Sequence, residues 1–292
     1  MKHEISILIP AYNHACTGLV EELCKQAGLL GIDFEVVVAE DGTTDEEALK
    51  ANKRIAQWPH CTYLPRKQNV GRACIRNFLA QQSRFEWLLF LDCDMSIPSD
   101  KFVKNYMESD VSDIAYGGYI VGTCEASNLR YRYEKANAHM HTAELRAKRP
   151  FMHFHTCNIF VRRDLMLKYP FDERFHHYGY EDVFLGKQLQ KAGITISHLD
   201  NPTGFFDFEE NVAFVSKTEE GLRTLYQFRS ELRGYNGLIT FVDNIHIAPV
   251  KWAIRLWHRL FGKLERKLLC SRHPSLTVFN LYRLGYFISL GR

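Results

Sequence analysis

The chain has 292 residues, enough to bury a full core as one large α/β domain or two smaller ones. Hydrophobic residues make up 46% and charged residues 24%, ordinary proportions for a soluble globular protein. The net charge of +3 conceals an asymmetry, since nine Lys and Arg stand against one acid between Lys251 and Arg292, while the first 250 residues carry 28 bases and 33 acids. A net-acidic main body argues against an extended nucleic-acid groove, so no nucleic-acid partner is expected.

Eight cysteines are scattered without a C-x-x-C pair or metal-finger spacing, which points to reduced thiols and not a disulfide framework. MKHEISILIPAYN begins directly with a strand pattern. Its apolar run is too short for a signal-peptide core, and it has no small-residue cleavage site. No apolar run approaches the roughly 20 residues needed to cross a bilayer. The expected location is the cytoplasm.

In chain order, Ile5 to Ile9 reads as a strand ended by Pro10, with Tyr12 and Asn13 in the following turn. Thr17 is placed to cap a helix carrying Leu19, Val20, Leu23, Cys24 and Ala27 at helical spacing. FEVVVA, Phe34 to Ala39, is a second buried strand that runs into Glu40 and Asp41, and Gly42 makes the turn. Thr44 with Glu47 fits a capping box opening a helix to about Gln57. Cys61 to Leu64 is a third strand. After the turn at Asn69 to Gly71, RACIRNFLAQQ places Cys74, Ile75, Phe78 and Leu79 on one helical face and Arg72 and Arg76 on another, whose plain alternative is a solvated surface.

Trp87 to Leu91 is five large apolar residues in a row, a strand buried on both faces. It stops abruptly at Asp92 and Asp94. Three strand–helix units before this point predict a doubly wound, mostly parallel sheet, with the ends after Ile9, Ala39 and Leu91 along one edge. Two carboxylates two residues apart at such an edge face the crevice where open α/β sheets hold ligands. As hard oxygen ligands they suit Mg²⁺ or Mn²⁺ and a phosphorylated substrate. The plain alternative is an acidic turn closing the strand.

Beyond Pro98, an apolar segment spans Ile114 to Val121, a polar helical stretch spans Ser127 to Lys148, and Thr156 to Val161 reads as a strand. Leu185, Leu189 and Ala192 are spaced for a helix that Gly193 ends. Glu181 and Asp182 stand at its start, where the helix dipole favours negative charge. Thr195 to Leu199, containing His198, is a further short strand.

Five pieces in this order, SILIPAYN, VVVAEDGTTD, NVGRACIRN, FLDCDMS and GYEDVFLGKQLQKAG, resemble the family 2 glycosyltransferases of the GT-A fold. The resemblance covers about Ile5 to Asp207, and FDERFHHYGYEDV also resembles the acceptor-side segment of galactosyltransferase-like enzymes. It implies a GT-A domain over 1–245, with a nucleotide-sugar half to about 98, an acceptor half after it, and a tail over 246–292. The implied reaction moves a sugar from a nucleotide donor, usually a UDP-sugar, with inversion at the anomeric carbon. Asp41 would then hold the uracil, flanked by Pro10 and Tyr12, with Arg72 or Arg76 near the nucleotide. Asp92 would contact the ribose or the metal, Mn²⁺ or Mg²⁺, and Asp94 would bind that metal directly. Asp182 would be the general base and Glu181 would hold or position the acceptor. His198 resembles a histidine that completes the metal site in some relatives, and Asn158 is a candidate acceptor contact.

His139, His141, His153, His155, His176 and His177 form no ligand pattern. The chain lacks the Gln-x-x-Arg-Trp segment of processive synthases, so one sugar per encounter is expected. FLDCDMS also resembles the strand-end Asp-x-Asp of haloacid-dehalogenase-like phosphatases, with Asp92 as nucleophile, although that motif ordinarily opens its domain. A sugar nucleotidyltransferase would carry a Gly-rich, Lys-containing loop after the first strand, and there is none.

The tail, KWAIRLWHRLFGKLERK, sets Lys251, Arg255, Arg259 and Lys263 four apart beside a stripe of Trp252, Leu256, Leu260 and Leu264. A basic amphipathic helix of this kind suits the surface of an anionic membrane. Peripheral contact with the cytoplasmic leaflet, where lipid-linked glycan acceptors reside, is expected of 251–292. The alternatives are a helix packed on the domain with its basic face in water, and a non-catalytic adaptor acting through this tail.

Overall fold

The computed structural model describes residues 2–291. β1 (Glu4–Ala11) leads into α1 (Thr17–Leu29), β2 (Asp33–Glu40) into α2 (Glu46–Lys53), and β3 (Cys61–Leu64) into α3 (Arg72–Gln82). β4 (Trp87–Leu91), β5 (Met95–Ser96), α4 (Phe102–Glu108), β6 (Ile114–Tyr116) and β7 (Tyr119–Val121) follow. Next come α5 (Leu129–Asn137), α6 (Ala143–Ala147), β8 (Asn158–Arg162), α7 (Arg163–Lys168), α8 (Glu181–Lys191), β9 (Ile196–His198) and β10 (Thr203–Phe205). The described chain closes with α9 (Asn211–Gln227), α10 (Gly237–Asp243), α11 (Ala248–Leu269) and α12 (Leu276–Ser289).

The chain divides into two compact units. The first holds the residues up to Gly122, Met140–His176 and Glu181–Asp207. Its central sheet has the order β3-β2-β1-β4-β8-β6-β9, with β8 antiparallel to its neighbours and the other pairings parallel. This is the mixed α/β, mostly parallel architecture expected. Alternation along β1 explains why it is covered on both faces. Ile5, Ile7 and Ile9 join Leu19, Val20 and Leu23 of α1 in one core, while Leu8 joins Ala73, Ile75 and Leu79 of α3 in the other. All five residues of β4 are buried, so it serves both cores, and each fully buried Leu or Phe contributes roughly 2 kcal/mol. A smaller sheet, β5-β10-β7, lies in the same unit.

Several local expectations change. Pro10 does not end β1, which continues to Ala11. The Ala11 carbonyl accepts from Asp41 N–H on the β2 side, so Pro10 faces the side where pairing with β4 has already stopped at Leu8. A residue without an N–H costs nothing there. Cys16, not Thr17, is the N-cap of α1. Asp45, not Thr44, caps α2, its Oδ1 accepting from Glu47 N–H and Ala48 N–H at 3.0 Å each. The polar stretch 127–148 is α5, a 3₁₀ turn over Ala138–His141 and α6, not one helix. All eight cysteines are free thiols.

The second unit holds Thr123–His139, His177–Tyr180 and the residues from Phe208 onward. The 246–292 segment therefore does not stand apart from what precedes it. Leu269, Phe279 and Tyr282 share a core with Leu129 of α5 and Phe214 and Val215 of α9. Asn211 ties the same parts by accepting from Leu129 N–H and donating to the carbonyls of Ser127 and Ser271.

Candidate active site

The parallel register of β2, β1 and β4 brings three loops to one edge of the sheet. Asn13, at φ 49°, receives the N–H groups of Thr44 and Asp45, so the turn carrying Tyr12 is pinned to the turn after β2. Tyr12 is exposed there, and Pro10 is half-buried. Asp41 is buried, and its two oxygens accept Val70 N–H (2.8 Å) and Gly71 N–H (3.1 Å) at the start of α3. Burial pushes its carboxyl up while those two donors pull it down, for a net rise. Gly71 is required at this turn. Its φ is +87°, and a Cβ would meet the His176 carbonyl at 2.6 Å.

The centre of the arrangement is Arg76, 1% exposed. One guanidinium nitrogen donates to Asp92 at the end of β4 (2.6 Å), and another to Glu181 at the first turn of α8 (3.0 Å). Carboxylates 89 residues apart in sequence are thus held by one buried cation. Burial disfavours the Arg76 charge, but Asp92 and Glu181 outweigh it and raise its pKa. Asp92 also resists burial, being held below the usual carboxylate range by Arg76, Arg72 and His155. Glu181 is raised, by burial and then by the adjacent charge of Asp182.

Asp182 is in a different position. Its Oδ2 lies 3.1 Å from His155 Nδ1 and its Oδ1 accepts Val183 N–H. Burial pushes its carboxyl up, but the hydrogen bond and charge of His155 bring it below the usual range, so it stays ionised near neutrality. Tyr180, two residues upstream, has a φ of 74°, a conformation rarely adopted by a bulky side chain. Arg72 is exposed at the first position of α3, and its charge acts on Asp92, Asp94 and Glu181.

Residues 6–169 match the family described as Glycosyl transferase family 2, more than half of the chain. The chain belongs to this family. A chondroitin synthase of Escherichia coli is 25% identical over 229 residues, covering 65% of this chain and 32% of that protein. The chain thus spans about a third of that relative's length. Among solved structures, S. aureus TarS 1-349 in complex with UDP-GlcNAc superposes with a TM-score of 0.51 at 16% identity, over 99% of this chain and 90% of that one. The mannosyltransferase PcManGT from Pyrobaculum calidifontis, in complex with GDP-Man and Mn²⁺, gives 0.55 at 13% identity, over 99% and 85%. The family match is the finding that stands against the phosphatase alternative.

Whether these residues of the family 2 enzyme suit a divalent ion is tested by Asp94. Burial and the neighbouring Asp92 charge raise its carboxyl, and no side-chain donor among the described residues reaches it. A cation would supply what is missing. Among the described residues no group of three or more His, Cys, Asp and Glu is placed to hold a metal alone. Two carboxylates fit an ion that fills its shell with water and phosphate oxygens, the usual mode for Mg²⁺. Asp94→Ala is accordingly expected to weaken UDP binding in Mn²⁺ at least about ten-fold, measured by calorimetry, with little change in EDTA.

Two expected contacts are used otherwise. His198 donates through Nε2 to the Pro150 carbonyl (3.1 Å) and accepts at Nδ1 from Arg146 Nε (3.3 Å), so neither nitrogen is left for a metal. Burial lowers its pKa to about 4, which keeps it neutral. Asn158 is fully buried and stitches loops together, accepting from Tyr106 Oη (2.7 Å) and donating to the carbonyls of Gly118 and Asn201. It is out of an acceptor's reach. Arg146, which no motif marks, holds this region by donating to the Gly117 and Leu199 carbonyls.

His155 was also invisible to spacing, lying 27 residues before Asp182. As the group that orients Asp182, its replacement in His155→Ala is expected to lower turnover roughly ten- to a hundred-fold with donor KM changed less than about two-fold, read by steady-state kinetics.

Proposed function

We propose that this glycosyltransferase is an inverting, metal-dependent hexosyltransferase moving one sugar from a UDP-sugar to a hydroxyl of a glycan or lipid-linked saccharide. The observation that carries this reading is the bond of Arg76 to both Asp92 and Glu181, which ties the donor-side strand end to the acceptor-side helix. Asp94 and Asp92 would hold Mn²⁺ or Mg²⁺, which when bound neutralises charge on the departing diphosphate. Arg72 adds positive potential beside the same carboxylates. The uracil lies at the edge formed by Pro10, Tyr12 and Asp41.

A sugar hydroxyl is a poor nucleophile until its proton leaves. As its oxygen bonds to the anomeric carbon, the bond from that carbon to the β-phosphate oxygen breaks, UDP departs, and the proton passes to Asp182. Glu181, committed to Arg76, positions the acceptor and leaves the base role to its neighbour. Displacement from the face opposite the nucleotide inverts the anomeric centre.

A thermal-shift panel of nucleotide sugars with and without Mn²⁺ tests the donor assignment. A UDP-sugar that raises Tm only with the ion is the expected result. Stabilisation by no nucleotide sugar, or release of inorganic phosphate from a phosphomonoester, would overturn it.

A further inference from the structure

Helix α11 exposes the face that a packed helix would bury. Its buried positions are few, Gly262, Glu265 and, at its end, Leu269, which packs with Phe279 and Tyr282 of α12. His258 packs so closely on Gly285 of α12 that a Cβ there would meet it at 2.8 Å. Gly285 lets the helices approach at His258, and Gly262 leaves room for the same ring within α11. The large apolar residues therefore point outward. Trp252 is 63% exposed, Leu260 64% and Leu264 55%, and Trp257, Phe261 and Leu268 are exposed beside them. Phe241 at the end of α10 and Ile247 just before α11 are exposed as well. A contiguous apolar stripe of this size on a folded surface marks a contact site.

Charge decides what covers it. Arg259, Lys263 and Lys267 are exposed along the edge of the stripe. The acid of this helix, Glu265, is turned inward and accepts from Trp257 Nε1 at 2.8 Å. A second copy of the chain meeting this face would bring its bases against these bases, which is repulsive. An anionic bilayer matches both features, because acyl chains receive the Trp and Leu side chains while lipid phosphates meet the Lys and Arg beside them.

We infer that α11 lies in the interfacial layer of an anionic lipid bilayer as a peripheral docking helix. No helix among the described residues is long and apolar enough to cross a membrane, so the helix rests on the surface. This inference is independent of the transfer reading, since it needs neither donor nor acceptor.

Flotation of the full chain with vesicles of phosphatidylcholine alone, or of phosphatidylcholine mixed with phosphatidylglycerol, tests it. The wild type should float with the mixed vesicles and stay behind with the zwitterionic ones. A chain carrying R259E, K263E and K267E should lose about a hundred-fold in partitioning, since each base near an anionic surface contributes several-fold. A chain carrying L260S, L264S and L268S should lose at least about ten-fold. All six positions are solvent-exposed, and unchanged circular dichroism and UDP binding would verify the fold. Failure of the wild type to float with anionic vesicles, or equal flotation of either variant, would overturn the inference. So would a wild-type dimer in sedimentation that the serine variant converts to monomer, which would assign the face to a second copy.

Discussion

Asp182→Asn removes turnover and leaves donor binding in place. The substitution keeps the size of the side chain and its acceptor oxygen near Val183 N–H, but an amide cannot take a proton from an attacking hydroxyl. Loss of a positioned general base costs roughly a hundred- to ten-thousand-fold, so release of UDP from the donor should fall about a thousand-fold. Calorimetric affinity for UDP with Mn²⁺ should stay within about three-fold, because the residue touches neither Asp92 nor Asp94. The amide also alters the contact with His155, which in the proposed mechanism orients the base and takes no part in donor binding. Wild-type turnover in D182N would remove Asp182 from the mechanism.

Arg76→Met attacks the fold and the site together. The apolar side chain fills much of the same volume but leaves Asp92 and Glu181 without their shared cation, both largely buried. Removing one partner from a buried ion pair costs about 3 to 5 kcal/mol, since a charge is stranded away from water. Here two are stranded, and Glu181 also faces Asp182. The expected fall in Tm is on the order of 10 °C, followed by calorimetry or circular dichroism. A second substitution, Glu181→Gln on the Arg76→Met background, should recover part of the loss by discharging one of the stranded acids. An unchanged Tm in Arg76→Met would mean that the network contributes nothing to stability.

The fold was legible where each segment's pattern agreed with its burial. WLLFL is apolar without interruption and FEVVVA is broken only by the buried Glu35, because β2 and β4 are covered on both faces, and each strand runs directly into acids. The same punctuation marked Asp41, Asp92 and Asp94. What periodicity does not reveal is which polar residue on a helix turns inward. Arg72 and Arg76 lie four apart on one face, but Arg76, one turn deeper, is enclosed by β4 and α8 while Arg72 stays in solvent.

The contacts of His155, Arg146 and Asn158 escaped for a related reason. Their partners are carbonyls and carboxylates brought in by distant loops, and one-dimensional spacing carries no trace of them. The amphipathic stripe of α11 was visible, but not the close approach of α12 at Gly285, where bulk is missing.

In the proposed transfer, displacement takes place at the anomeric carbon from the face opposite the nucleotide. Proton NMR of the new glycosidic linkage formed from an α-linked UDP-sugar in the presence of Mn²⁺ reports that step. A β-configured product is the expected result, and an α-configured one would contradict the assignment of Asp182 as base.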